Sequence, residues 1–92
     1  MIEVKIVFLS FIEDLVGKKE EIITLEKNST LNDLLSSIKK LFDKELSKLI
    51  FSSSGEIKKY ILIGLNGKSV KEFAIQLNQG DEITILPAIA GG

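Results

Sequence analysis

The chain has 92 residues, of which 45% are apolar and 27% are charged, so we expect one globular domain with a single hydrophobic core. Its net charge of −1, from 12 basic and 13 acidic residues, excludes a strongly basic surface for nucleic acid. Because the sequence has neither Cys nor His, disulfides, thiolate nucleophiles, zinc clusters and imidazole general bases are all excluded.

The first predicted element is a strand over residues 2 to 8, where apolar side chains recur at every second position. The opposite face of this strand carries Glu3 and Lys5 and turns apolar at Val7 and Leu9. The two charged residues argue against a secretory signal, and no apolar run approaches the roughly 20 residues of a membrane span. We therefore expect a cytoplasmic protein with no membrane partner.

A short helical turn and a second strand are predicted next. The stretch "SFIEDLVG" suits a helical turn that ends at Gly17, because glycine readily takes a positive φ. The segment from Glu20 to Glu26 has the composition of a strand, and the polar Lys18-Lys19 before it suits a hairpin-like connection. Strands one and two should therefore pair.

The strongest helix signal lies in "NSTLNDLLSSIKKLFDKEL", where apolar residues recur at spacings of three and four. Thr30 and Asp33 have the spacing of a capping box at its start. We expect this helix to cover one face of the sheet with its apolar residues, which are Leu31, Leu34, Leu35, Ile38, Leu41 and Phe42.

Residues 43 to 59 form a long connection for so small a domain. The apolar residues from Leu46 to Phe51 predict an extra helical turn within it. The "SSSG" that follows is typical of a loop, because serine and glycine favour turn conformations.

Strands dominate the remainder of the chain. The apolar run from Tyr60 to Leu65 predicts a buried strand, and Asn66-Gly67 predicts a tight hairpin turn after it. A second turn at Asn78 to Asp81 leads to a last strand from Glu82 to Leu86. Pro87 is expected to end the hydrogen-bond ladder because it has no N–H to donate. The predicted order is β-β-α-β-β-β.

This order resembles the ubiquitin-like β-grasp, an α+β fold with a mixed sheet of four to five strands packed on one main helix. Within that superfamily, "NQGDEITILPAIAGG" at residues 78 to 92 resembles the C-terminal signature of molybdopterin synthase small subunits, of the MoaD/ThiS sulfur-carrier family. The blocks "EDLVG" at 13 to 17 and "GLNGKSV" at 64 to 70 resemble two further motifs of the family. The match covers nearly the whole chain and is most specific at the tail.

The resemblance implies a domain at residues 1–87 and a flexible tail at residues 88–92. In the family, an E1-like activating enzyme uses ATP to form an acyl-adenylate at the terminal glycine, and sulfur then displaces AMP to leave a thiocarboxylate. Gly92 would carry that sulfur, and Gly91, which has no Cβ, would let the tail enter a narrow channel. Pro87 would stiffen the base of the tail. The three residues before the glycines would then form a narrow apolar segment that lies along the channel, and these are Ala88, Ile89 and Ala90.

Val7, Leu9 and Leu86 are candidate partner-interface residues, because strand alternation turns them away from the helix-covered core. Exposed apolar residues beside the base of the tail would form a docking patch. The alternative is that residues 43 to 59 fold over these side chains and bury them.

The charged residues have simpler structural interpretations. Thr30 and Asp33 are predicted to cap the helix, and Asp81 and Glu82 to form a turn and begin a strand. The lysines are spread along the sequence and suit a solvated surface, so none is assigned a catalytic role and no metal site is expected.

The leading functional hypothesis is a sulfur carrier that is the small, non-catalytic subunit of a two-subunit molybdopterin synthase. It would bind no cofactor, receive sulfur from a donor and deliver it to the active site of the large subunit in molybdenum or tungsten cofactor biosynthesis. The alternatives are a ubiquitin-like modifier that forms isopeptide bonds with Lys, a sulfur carrier of thiazole synthesis, and a pure binding module. The leading hypothesis and the modifier alternative share the same chemistry up to the acyl-adenylate.

Overall fold

The computed structural model describes residues 1–88, in which five strands form one sheet and the helices pack on it. In chain order the elements are β1 (Ile2–Phe8), α1 (Phe11–Val16), β2 (Glu20–Leu25), α2 (Leu31–Leu41), α3 (Lys44–Ile50), β3 (Ile61–Leu65), β4 (Lys68–Ser69) and β5 (Glu82–Pro87). The α+β expectation and the pairing of the first two strands are confirmed.

The sheet is mixed, with the strand order β2-β1-β5-β3-β4. β1 pairs antiparallel with β2 and parallel with β5, while β3 pairs antiparallel with both β5 and β4. The strand nearest the C-terminus therefore lies at the centre of the sheet, between β1 and β3. The chain consequently leaves the sheet from the C-terminal end of a central strand.

The core lies between the sheet and the helices as predicted, but Leu41 of the predicted apolar helix face is 63% exposed and does not belong to it. The alternating residues of β1 are buried, and α2 contributes Leu31, Leu34 and Ile38 at 1% exposure or less. A capping box fixes the start of α2, because Thr30 Oγ1 accepts from the Asp33 N–H and Asp33 Oδ2 accepts from the Thr30 N–H. Among residues 1–88, one face of the sheet is thus covered by helices and the opposite face is not.

The extra helical turn predicted after the main helix is a separate helix, α3. Phe42 has an extended ψ of 145°, which ends α2, and the Asp43 side chain accepts from the Leu46 N–H to begin α3. Leu46 and Ile50 are then buried in the same core as α2. None of the helices in residues 1–88 combines the length and apolar character required to cross a membrane.

The predicted hairpin turn at Asn66-Gly67 is confirmed. Both residues have positive φ, 50° and 88°, the combination that a two-residue type I′ turn requires. β4 is only two residues long, and one further backbone bond, from the Val70 N–H to the Ile63 oxygen, follows it.

Pro87 does not end the ladder, contrary to the sequence expectation. It belongs to β5 opposite Ile61, and the next residue continues the ladder, with the Ala88 N–H donating to the Tyr60 oxygen at 2.7 Å. The difference is explained by the alternating direction in which the backbone N–H and C=O groups of β5 point. The backbone of Ile85 faces β1, where its oxygen accepts from Leu9, so the nitrogen of Pro87 also faces that side, beyond the last paired residue of β1. The Leu9 oxygen, which an N–H at position 87 would meet, accepts from the Ile12 N–H instead, so the missing donor ends only the β1 side of the ladder.

Candidate functional site

The base of the predicted tail is fixed to the centre of the sheet. Pro87 and Ala88 are half-buried, and the Ala88 bond to Tyr60 is the last contact of the ladder among the described residues. The other tail residues singled out in the sequence, Ile89, Ala90, Gly91 and Gly92, lie outside the described residues.

The uncovered side of the sheet, called here the open face, carries the three predicted interface residues. Val7 and Leu86 are half-buried, whereas Leu9 is 37% exposed. The Leu9 N–H donates to the Ile85 oxygen at 3.1 Å, which places Leu9 next to Leu86 across the β1–β5 pair. The structure therefore brings these residues together at the end of the sheet where β5 leads into the tail.

Leu62 belongs to the same apolar group, although the sequence did not single it out. It lies directly opposite Leu86 in the β3–β5 pair and is 39% exposed. Its strand is apolar on both faces, so alternation alone gave no signal for an exposed position. Only the pairing register places it on the open face.

The segment at residues 43 to 59 does not bury this apolar group. Leu46, Ile50 and Phe51 are buried in the core on the α2 side of the sheet, and Leu49 is 39% exposed. The Tyr60 hydroxyl donates to the Leu49 oxygen at 2.9 Å, which ties the end of α3 to the chain that enters β3. Within residues 1–88, the open face is accordingly not covered by this segment.

The open face also carries a cluster of charged side chains. Lys5 Nζ lies 3.6 Å from Glu82 Oε2 and 3.9 Å from Glu20 Oε2, so three neighbouring strands each contribute one charge. These side chains are substantially solvent-exposed, and such pairs add little stability. Glu20 lies opposite Val7 and Lys5 lies opposite Glu82, so charged side chains border the apolar group on the β2 side and at the start of β5.

Asp81 and Glu82 have the structural roles predicted for them. Asp81 Oδ2 accepts from the Asn78 N–H at 2.7 Å and its Oδ1 accepts from Asn66 Nδ2 at 2.9 Å. The Glu82 N–H donates to Asn66 Oδ1 at 2.9 Å. The acidic part of the C-terminal signature thus joins two turns and starts β5 in register.

The open face is suited to docking. It presents apolar side chains and one exposed charge cluster, and within residues 1–88 no three acidic side chains are grouped closely enough to hold a metal ion.

Comparison with known families and proteins gives similarity over almost the whole chain. The model of the ThiS family matches residues 6–92. The small archaeal modifier protein 3 of Haloferax volcanii is 28% identical over 93 residues, covering 98% of this chain and 99% of that protein.

Solved structures of the same fold are also similar. The crystal structure of SAMP1 from Haloferax volcanii has a TM-score of 0.85 and 19% identity, covering 98% of this chain and 99% of that one. A chain from the complex of subunits 1 and 2 of molybdopterin-converting factor from Helicobacter pylori has a TM-score of 0.66 and 21% identity, covering 99% and 100%. At these identities the structural likeness establishes the ubiquitin-like β-grasp fold.

Proposed function

The chain belongs to the ThiS family, and from that premise we propose that it is a ubiquitin-like sulfur carrier whose acyl group is the C-terminal carboxylate of Gly92. The observation that supports this most strongly is the position of β5. It carries the segment that resembles the family's C-terminal signature out of the centre of the sheet, beside the apolar end of the open face. A partner docked on that face would hold the tail within reach of its own active site.

The chemistry proceeds in two substitutions. A carboxylate oxygen of Gly92 attacks the α-phosphorus of ATP and pyrophosphate leaves, which gives an acyl-adenylate. A hydrosulfide supplied by the sulfur donor then attacks the acyl carbon and AMP leaves, so that the tail ends in a thiocarboxylate. Both steps take place in an E1-like activating enzyme, and this chain contributes the acyl group and the means of docking.

The fixed base of the tail supports this role. Pro87 removes backbone freedom at the point where the tail begins, and the Ala88 bond to Tyr60 anchors it to β3. Less conformational entropy is then lost when the tail enters a channel. Gly91 and Gly92 carry no Cβ that would block attack on the acyl carbon.

We propose the large subunit of molybdopterin synthase as the acceptor of the sulfur. The resemblance of residues 78 to 92 to the family's small subunits supports this assignment. The Helicobacter pylori structure adds support at the level of fold, because its two chains are subunits of molybdopterin-converting factor.

A protein-modifier function is a second candidate, favoured by a specific observation. The Haloferax volcanii relative that matches nearly the full chain is named a small archaeal modifier protein. In this alternative, a Lys amine of a target protein attacks the activated acyl carbon and an isopeptide bond forms. The fold and the open face serve both functions equally.

Intact mass spectrometry of the protein from its native cells tests the proposal. A species in which sulfur replaces one terminal oxygen, without conjugates, is the result expected for the carrier. Conjugates to Lys would instead establish the modifier, and finding neither species would contradict activation at Gly92.

The requirement for the tail is tested by ATP-dependent adenylation of variants. Gly91→Phe, or one residue added after Gly92, should abolish adenylation while leaving the circular dichroism spectrum unchanged. Gly67→Asn is the matched control, because Gly67 lies in the turn after β3, beside the start of β5 and not its end, has a φ of 88°, and Asn tolerates this conformation. Normal adenylation of Gly91→Phe would rule out a tail that must enter a narrow channel.

A further inference from the structure

A groove of about 490 Å³ lies between α2, the loop after α3 and the β3–β4 edge of the sheet. We call it the lysine groove, because four lysines line it: Lys39, Lys58, Lys59 and Lys71. It lies largely on the helix side of the sheet, although Leu62 of the open face also belongs to its lining, and the function proposed above does not use its lysines.

The lysine groove concentrates positive charge on a chain that is acidic as a whole. Its one acidic lining residue is Glu56, so the groove carries a charge of +3. The net charge of the chain is −1, which leaves −4 on the rest of the molecule. Within residues 1–88 the ion pairs join Lys5 and Lys18 to carboxylates, and none involves a groove lysine. These ammonium groups are therefore available to an acidic ligand.

Two of the groove lysines are positioned by aromatic rings. Lys39 Nζ lies 5.6 Å from the centroid of Phe51, and Lys58 Nζ lies 5.8 Å from the centroid of Tyr60. Cation–π contacts of this length favour the observed positions of the side chains. A Cβ at Gly55 would lie only 2.9 Å from Lys39 Nζ, so the lack of a side chain there leaves room for that ammonium group.

The floor of the lysine groove is apolar. Phe51 and Leu35 are buried beneath it, while Ile57, Val70 and Phe73 are half-buried along its walls. A ligand that carried only charge would leave these side chains in contact with water. A bulky apolar group between acidic groups would use both parts of the groove.

The edge of β3 offers the groove a backbone acceptor. Ile63 and Leu65 pair with the β4 side of the sheet, and by alternation the carbonyl of Ile61 points the same way. β4 ends before it reaches Ile61, so this carbonyl faces the groove without a strand partner. An extended peptide can donate an N–H to it, as peptides that add to sheet edges do.

We propose that the lysine groove binds an extended acidic peptide segment of a partner protein, with one bulky apolar side chain inserted between Phe51, Val70 and Phe73. A short segment fits the charge distribution better than a long polyanion does. The −4 on the rest of the molecule repels a nucleic acid that extends beyond the groove, whereas a few carboxylates contact only the lysines. The proposal does not depend on activation at Gly92.

Fluorescence anisotropy with a defined probe tests the proposal. The probe is a fluorescein-labelled peptide with a Leu-Phe pair between two runs of three acidic residues, at about 0.15 M salt. The native protein should bind it, and Lys58→Glu/Lys71→Glu should weaken binding about tenfold or more, because two attractive pairs become repulsive. Lys27→Glu/Lys44→Glu is the matched control, since it changes the net charge equally at exposed sites outside the groove. It should weaken binding less than about twofold because salt screens distant charges.

Four results would overturn the proposal. One is equal weakening by the two double variants, and another is equally tight binding of a peptide in which Ser-Gly replaces Leu-Phe. The third is no measurable binding of the probe by the native protein. The fourth is tighter binding of a single-stranded oligonucleotide of the same charge. Melting temperatures equal to that of the native protein show that the lysine variants are folded.

Discussion

Single side chains in the two predicted turns hold together parts of the chain that are distant in sequence. Asn66 donates to Asp81 and accepts from the backbone of Glu82, while Asp81 also accepts from the backbone of Asn78. The sequence predicted both turns from local residue preferences. It could not predict the bonds between them, because each turn is specified by its own residues and their meeting depends on the pairing of β3 with β5.

Asp81→Ala should lower the free energy of unfolding by about 1–2 kcal/mol, because a backbone N–H and an amide N–H each lose a charged acceptor. Urea unfolding followed by circular dichroism measures the change. Asp14→Ala is the control, since Asp14 is exposed and has no bonded partner among the side-chain contacts of residues 1–88, and it should change stability by less than about 0.5 kcal/mol. Equal effects of the two changes would contradict a structural role for Asp81.

At the scale of elements, the helices show where periodicity is informative and where it is not. The start of α2 was predicted correctly, since Thr30 and Asp33 form the capping box that their spacing indicated. The break between α2 and α3 was not located. The apolar residues keep a spacing of four across the break, at Phe42, Leu46 and Ile50. The hydrophobic pattern is therefore continuous although the helical backbone is interrupted. The available signal was Asp43, which caps α3.

Thr30→Ala should destabilise the protein by about 1 kcal/mol, because the N–H of Asp33 loses its side-chain acceptor at the start of α2. Ser36→Ala is the matched control in the same helix. Ser36 is exposed, and Ala favours the helix at least as well, so its thermal midpoint should not fall. A fall of the same size in both variants would show that the loss at Thr30 is not a capping effect.

At the scale of the whole molecule, the sheet separates two surfaces of different character. The open face turns apolar beside the tail, and the helix side carries the lysine groove. Alternation predicted the placement of Val7, Leu9 and Leu86, because β1 and β5 each have one buried face. The gathering of four lysines from α2 and the chain around β3 and β4 could not be predicted, since it depends on how the helices pack on the sheet.

Leu9→Asp and Leu62→Asp should each weaken binding to the cognate activating enzyme or synthase large subunit by about tenfold or more, because a charge is placed in an apolar contact. Isothermal titration calorimetry measures the affinity. Ile22→Asp is the control, since Ile22 is 56% exposed on the same face but on β2, across the sheet from the tail. Equal weakening by all three variants, or none by the first two, would assign docking to another surface.

The parallel pairing of β1 with β5 also determines when the sheet can be completed during synthesis of the chain. Residues 5 and 82 lie side by side at the centre of the sheet, so the β1–β2 hairpin and α2 can form during synthesis, whereas the sheet closes only after residues 82 to 87 have left the ribosome. The open face near the tail is built from β1, β3 and β5 together. Under the proposed function, a docking partner would recognise a surface that nascent chains do not yet possess, because β5 completes it.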